Sequence, residues 1–158
     1  MKPLLVLGES GGGKTALMAN YYFKLLKERP NICTIAFFIG STPQSSSYIY
    51  LLQFILESLK QKLQLKESVP TDPSQLTPTL EAWIQLLAPP KDSSEKISLV
   101  LILDALNQLD PIGDSHELHW LPFTFPSHVR VILSTLPGRY YYIFVLFFFF
   151  FFFFFQNK

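Results

Sequence analysis

Four stretches of the chain are apolar with almost no polar alternation: Leu4 to Leu7 (LLVL), Ile32 to Ile39 (ICTIAFFI), Leu99 to Leu103 (LVLIL) and Val129 to Leu133 (VRVIL). Runs without a period of two suit parallel strands buried on both faces. Each stops on small or polar residues: Gly8, Gly40 with Ser41-Thr42-Pro43, Asp104, and Ser134-Thr135. Such residues interrupt strands and begin turns.

Between the apolar runs the spacing changes to that of helices. From Lys14 to Glu28, Ala16, Leu17, Tyr21 and Leu25 recur near every three to four residues, and Pro30 stops the segment. A second helix is expected from about Ser47 to Leu63, with Ile49, Leu52, Ile55, Leu56 and Leu59 on one side. Glu67 to Pro78 carries three prolines among polar residues and reads as a loop; Leu80 to Leu87 reads as a shorter helix, closed by Pro89-Pro90. Lys91 to Lys96 reads as a charged linker. Strands separated by helices predict an α/β fold with a parallel sheet covered on both faces. Ligands in such sheets sit beyond the carboxyl ends of the strands, where Gly8 to Thr15, Ser41-Thr42, Asp104 and Ser134-Thr135 all fall.

Composition narrows the partners. At 158 residues the chain is long enough for one domain with a real core. A net charge of +1 lacks the basic excess of a phosphate-tracking surface, which argues against nucleic acid. The single cysteine, Cys33, lies in an apolar run and is expected as a buried free thiol. No basic stretch followed by an apolar one opens the chain, so the reading is cytoplasmic. His116, Glu117 and His119 in HELHW lack the spacing of a zinc helix and a third ligand, so capping or surface histidines are expected. Trp83 and Trp120 are expected in the core.

The chemistry is concentrated in GESGGGKT, residues 8 to 15, which fits G-x-x-x-x-G-K-[ST] at Gly8, Gly13, Lys14 and Thr15. A loop that wraps phosphate turns its backbone N–H groups inward, and side chains would obstruct that approach. Glu9, Ser10, Gly11, Gly12, Gly13 and Ala16 complete the cradle, and the following helix aims its positive end at the same anion. Lys14 supplies a full charge toward the β and γ phosphates, and the Thr15 hydroxyl suits Mg²⁺. Asp104, just past a buried strand, is the candidate acid for the metal's water shell opposite Thr15.

Taken in order, LLVLGESGGGKTALMANYY, FFIGSTPQSSS, LVLILDALNQLD and LPFTFPSHVRVILSTLPG resemble the P-loop ATPases of the STAND class. The similarity is to the NACHT-like domain of nephrocystin-3-related tetratricopeptide-repeat proteins, over roughly residues 3 to 138. It implies a three-layer α/β/α P-loop NTPase fold and an ATP-driven conformational switch within a multidomain protein, with protein partners reached through repeats. It also makes LVLILDALNQLD the Walker B strand, with Lys14 and Asp104 in the catalytic roles. VRVILST becomes the sensor strand, with Ser134 or Thr135 near the γ-phosphate. Relatives often carry a further acidic residue past the Walker B aspartate, where this chain has Ala105, Leu106, Asn107 and Gln108. An amide orients a water but does not take its proton, so binding of ATP and Mg²⁺ is expected ahead of rapid hydrolysis. ATP is favoured over GTP through the resemblance, and no N-K-x-D motif is present.

Residues 139–158 differ in kind. Tyr140 to Phe155 is apolar for 16 residues and holds nine consecutive phenylalanines from Phe147 to Phe155. As a helix it would reach about 24 Å, short of the ~30 Å hydrocarbon core, so a membrane anchor requires bilayer thinning. The stronger expectation is translated noncoding sequence after an incomplete NTPase core of residues 1–138. By the resemblance, a further strand beside Leu4 to Leu7 and a helical lid would follow the sensor strand; without them Leu4 to Leu7 is expected as an open, aggregation-prone edge. A membrane-anchored or non-functional truncated product, and a P-loop phosphotransferase, stand as the alternative functions.

Overall fold

The computed structural model describes residues 3–87, 89, 96–112, 115–122 and 124–138. The aromatic segment from residue 139 and residues 91–95 of the charged linker lie outside these. Four strands, β1 (Leu4–Leu7), β2 (Cys33–Phe38), β3 (Leu99–Asp104) and β4 (Val129–Thr135), form one sheet in the order β1-β4-β3-β2. Every pairing is parallel. Three helices, α1 (Lys14–Glu28), α2 (Tyr48–Leu63) and α3 (Pro73–Leu86), supply the covering layers. This is the α/β architecture of a P-loop NTPase, with helices on both faces of a parallel sheet.

Residue parity assigns each face. Cys33, Ile35 and Phe37 of β2, Leu99, Leu101 and Leu103 of β3, and Val129, Val131 and Leu133 of β4 point toward α2 and α3. The alternate residues Val100, Ile102 and Ile132 point toward α1, where Met18 and Leu25 meet them. Among the described residues the first cluster holds 25 buried side chains and the second 6, so the α2–α3 side is the main core. With about 1.5–3 kcal/mol per buried aliphatic side chain, that side dominates the stability of the sheet. Trp83, Trp120 and Cys33 lie in the main core, as expected.

Three expectations are corrected. Leu4 to Leu7 is not buried on both faces: Leu4 is 60% and Leu7 38% exposed, because β1 has β4 as its sole neighbour among the described residues. The α1 stripe is rotated from the one expected, since Leu17 and Tyr21 are exposed while Met18, Tyr22 and Leu25 face the sheet. Leu17, Tyr21 and Leu25 keep helical spacing, but Met18, Tyr22 and Leu25 keep it equally, and only the sheet decides between them. Finally, the expected loop before Leu80 is the first half of α3. Asp72 caps the helix by accepting from the Ser74 N–H at 2.9 Å, and Pro73 occupies the first turn, where its missing N–H costs nothing. Pro78 lies inside the helix and removes one hydrogen bond there.

The other boundaries follow local chemistry. Thr42 and Ser45 form a reciprocal capping box before α2: the Ser45 N–H donates to Thr42 Oγ1 at 3.3 Å and the Thr42 N–H to Ser45 Oγ at 2.8 Å. Ser47 then caps α2 through the Tyr50 N–H. β4 runs two residues beyond the expected Leu133, because Ser134 and Thr135 pair with Val6 and Leu7 of β1.

Candidate functional site

The strand order brings the chemistry together. Because β4 lies between β1 and β3, the glycine-rich loop after β1, the polar end of β4 and the acid ending β3 sit side by side along the carboxyl edge of the sheet. Ser134 lies 30 positions from Asp104 and 128 from Val6, its register partner on β1, yet the parallel crossovers make all three neighbours. Parity then separates Ser134 from Thr135. Ser134 shares the face of Ile132, and Asp104 that of Ile102, which is the face covered by α1. Thr135 shares the opposite face with Leu133. The alternatives left open at the sensor strand thus divide, and Ser134 is the residue on the side of Lys14 and Thr15.

The loop itself has the form its glycines require. Gly13 adopts φ 83° and ψ 9° and is the N-cap of α1, a left-handed position where a Cβ would be strained. It offers no side-chain cap, so the first-turn N–H groups of α1 carry no side-chain partner at the cap. A Cβ on Gly12 would stand 3.0 Å from the Glu9 carbonyl oxygen, so a larger residue there requires that carbonyl to give by a few tenths of an ångström. The Gly12 N–H donates to that same carbonyl at 3.1 Å. Glu9, Ser10, Gly11, Gly12, Gly13, Thr15 and Ala16 are all exposed around the concavity, and Gly8 is half-buried at its base. Lys14 reaches back over the loop: Nζ donates to the Gly8 oxygen at 2.6 Å and to the Glu9 oxygen at 2.9 Å. A cation is therefore held at the mouth of a ring of backbone groups, as anion binding demands.

Asp104 is only 2% exposed, and a buried carboxylate requires partners. It finds one in Ser134, whose Oγ donates to Asp104 Oδ1. The same Ser134 oxygen accepts from the Ala105 N–H at 2.8 Å. Ala105 takes φ 61° and ψ 51°, a left-handed conformation that costs a non-glycine residue about 1–2 kcal/mol. Asp104 does not cap a helix; Ala105 opens the short 3₁₀ turn Leu106–Gln108. That turn directs Gln108 over Gly40 just past the end of β2, on the far side of β3 from β4 and β1. Asp110 is tied elsewhere, its N–H donating to the Ser46 carbonyl at 2.9 Å.

The donor set fits a hard divalent cation. Thr15 supplies a hydroxyl and Asp104 a carboxylate, and Mg²⁺ characteristically takes one or two such protein oxygens, the rest from water and phosphate. Among the described residues no group of three or more His, Cys, Asp or Glu could hold a metal by itself. The HELHW histidines have structural partners: His116 Nε2 bonds the Leu109 carbonyl at 2.7 Å, and His119 Nδ1 lies 3.5 Å from Glu117. What sequence reasoning missed is the left-handed Ala105 and the double bond of Ser134. Neither leaves a mark in a pattern of residue types, because both depend on the β3–β4 register.

The chain is homologous to repeat proteins that carry NACHT domains. It is 33% identical to the human NACHT and WD repeat domain-containing protein 2 over 89% of its length. It is 29% identical to mouse nephrocystin-3 over 84%, and 26% identical to a TPR repeat-containing protein of Dictyostelium discoideum over 87%. The chain spans about a tenth of the length of these relatives: 8%, 10% and 10%. No protein-family model and no solved structure matches it. The similarity to NACHT-like, nephrocystin-3-related proteins expected from the motifs thus spans 84–89% of the chain. Among the described residues no helix is long and apolar enough to cross a membrane.

Proposed function

We infer that this homologue of the NACHT-domain repeat proteins binds ATP with Mg²⁺ and serves as a nucleotide-dependent conformational switch. The observation that carries the reading is spatial. A glycine loop with a cation at its mouth joins β1 to α1, and the buried acid Asp104 and its partner Ser134 lie on the α1 face of the next strands. Residues 8–16 receive the phosphates through backbone N–H groups, with Lys14 transferring its hydrogen bonds from the Gly8 and Glu9 carbonyls to phosphate oxygens. Thr15 and Asp104 hold the Mg²⁺, directly or through its water shell. The ion, when bound, neutralises phosphate charge and orients the terminal phosphate.

Turnover is slow on this reading. No carboxylate follows Asp104 until Asp110, whose backbone is anchored to Ser46, and Gln108 is turned over Gly40. A water beside the terminal phosphate therefore lacks a base to take its proton. Residues 1–138 form the nucleotide unit. Relatives named for WD and TPR repeats support protein partners as the readers of its nucleotide state.

Titration calorimetry of the full chain with Mg·ATP, beside Lys14→Ala, tests the reading. Micromolar binding, about −8 kcal/mol, that the variant loses is the expected result. Equal binding by both, or none by a chain shown by circular dichroism to be folded, would overturn it.

A further inference from the structure

We propose that Ser134 is a positioning residue for the metal acid: its hydroxyl clamps the Asp104 carboxylate and the left-handed Ala105 backbone in one fixed arrangement, rather than touching phosphate itself. This rests on the proposed binding of Mg·ATP and names how the cation end of that site is kept in order.

The inference comes from counting donors. A serine hydroxyl has one proton and two lone pairs. The proton of Ser134 goes to Asp104 Oδ1, and a lone pair receives the Ala105 N–H at 2.8 Å. No proton remains for a γ-phosphate oxygen, which is the contact a sensor residue would make. The group is fully buried, at 0% exposure, and its neighbours are fixed by the sheet. Val6 of β1 is in register with Ser134, and Leu103 of β3 with Leu133, so Ser134 stands between the strand that leads into the loop and the strand that ends on the acid. The bond uses Oδ1 alone, and Oδ2 takes no part in it. The Ala105 amide is held as well, so the chain turns sharply after Asp104 and the carboxylate has no freedom to follow a relaxing backbone. Partners of this kind, one step behind a metal ligand, commonly set metal affinity by 10–100-fold.

The test is binding of ATP to the full chain, titrated with Mg²⁺ and repeated in EDTA. In Ser134→Ala the Mg²⁺ needed for half-maximal tightening of ATP rises tenfold or more, while affinity in EDTA moves less than twofold. Equal losses with and without Mg²⁺ would mean that Ser134 meets phosphate, and would overturn the clamp. So would an unchanged Mg²⁺ requirement. Ser134→Cys keeps nearly the same volume with only a weak donor, and gives the same readout should the alanine variant not fold. A wild-type chain that is folded but binds no ATP removes the nucleotide reading and the clamp's role with it; a wild-type chain that binds beside an indifferent Ser134 variant removes the clamp alone. Thermal unfolding without nucleotide supplies an independent check. Ser134→Ala lowers Tm, and the same change in an Asp104→Ala background lowers it by less than half as much; additive shifts would overturn the clamp.

Discussion

Gly40 offers a perturbation whose cost divides into parts that separate variants can measure. It lies in the turn two residues past β2 with φ +77°, and a Cβ built there would stand 1.8 Å from Gln108 Oε1, 2.9 Å from its Cδ and 3.2 Å from its Cβ. Gly40→Ala therefore meets two obstacles. The left-handed backbone costs an alanine about 1–2 kcal/mol. The Gln108 side chain must leave its rotamer, at about 0.5–1.5 kcal/mol, and it has room because it is exposed. Restricting the unfolded chain returns about 0.4–1 kcal/mol. The net loss is about 2 kcal/mol, within a span of roughly 0.5–3, or a fall in Tm of about 4–8 °C at the central value for a chain of this size. Urea unfolding followed by circular dichroism reads it as a lower midpoint at unchanged slope. The double variant Gly40→Ala/Gln108→Ala recovers the contact part and leaves the backbone part. Wild-type stability in Gly40→Ala, or a double variant that recovers nothing, would refute the packing of Gln108 over the turn after β2.

Three further outcomes are expected. Pro78→Ala restores an N–H inside α3 at an exposed position, and stabilises by about 2 kcal/mol after the unfolded-chain penalty; an unchanged urea midpoint would show that the helix does not pass through Pro78. Asp72 caps α3, and the hydrogen bond from the Ser74 N–H holds its carboxyl below the ordinary carboxylate range. Its folded pKa is thus lower than its unfolded one, so its stabilisation is present above the unfolded value and lost as pH falls through the folded one; Asp72→Asn, which caps without titrating, should remove that part of the acid sensitivity in midpoint-versus-pH curves. Burial pushes the Cys33 thiol up, against a smaller opposite effect of Lys62. The thiol should resist Ellman's reagent at pH 8 in the folded chain and react at once in urea; rapid native reaction would contradict its place in the core.

Much of the fold is legible in residue order because parallel strands with two covered faces have little choice of composition. LVLIL is apolar at every position, and ICTIAFF at every position but Thr34, since both faces of β3 and β2 are packed, by α1 on one side and α2 and α3 on the other. The phosphate loop is legible for a related reason: Gly12 and Gly13 serve local backbone geometry, which residue type alone dictates. The α3 start was hidden because proline is ambiguous, a helix breaker in the interior and a natural first residue after an Asp cap.

What the sequence by itself determined, then, is much of what is set within one strand, loop or turn: the α/β class, the Gly8–Thr15 loop, Asp104 at a strand end and Cys33 in an apolar run. Only the tertiary structure decided which of these meet. The order β1-β4-β3-β2 places Ser134 between the loop strand and the acid strand, and strand parity turns it, rather than Thr135, toward α1. The open side of β4's neighbour leaves Leu4 and Leu7 exposed although their composition matches that of a buried strand. The rotation of α1 is likewise set by the sheet it packs on. The physical reason is common to all three. Register and packing are relations between segments far apart in the chain, and a residue's type records its own preference but not its neighbour's position.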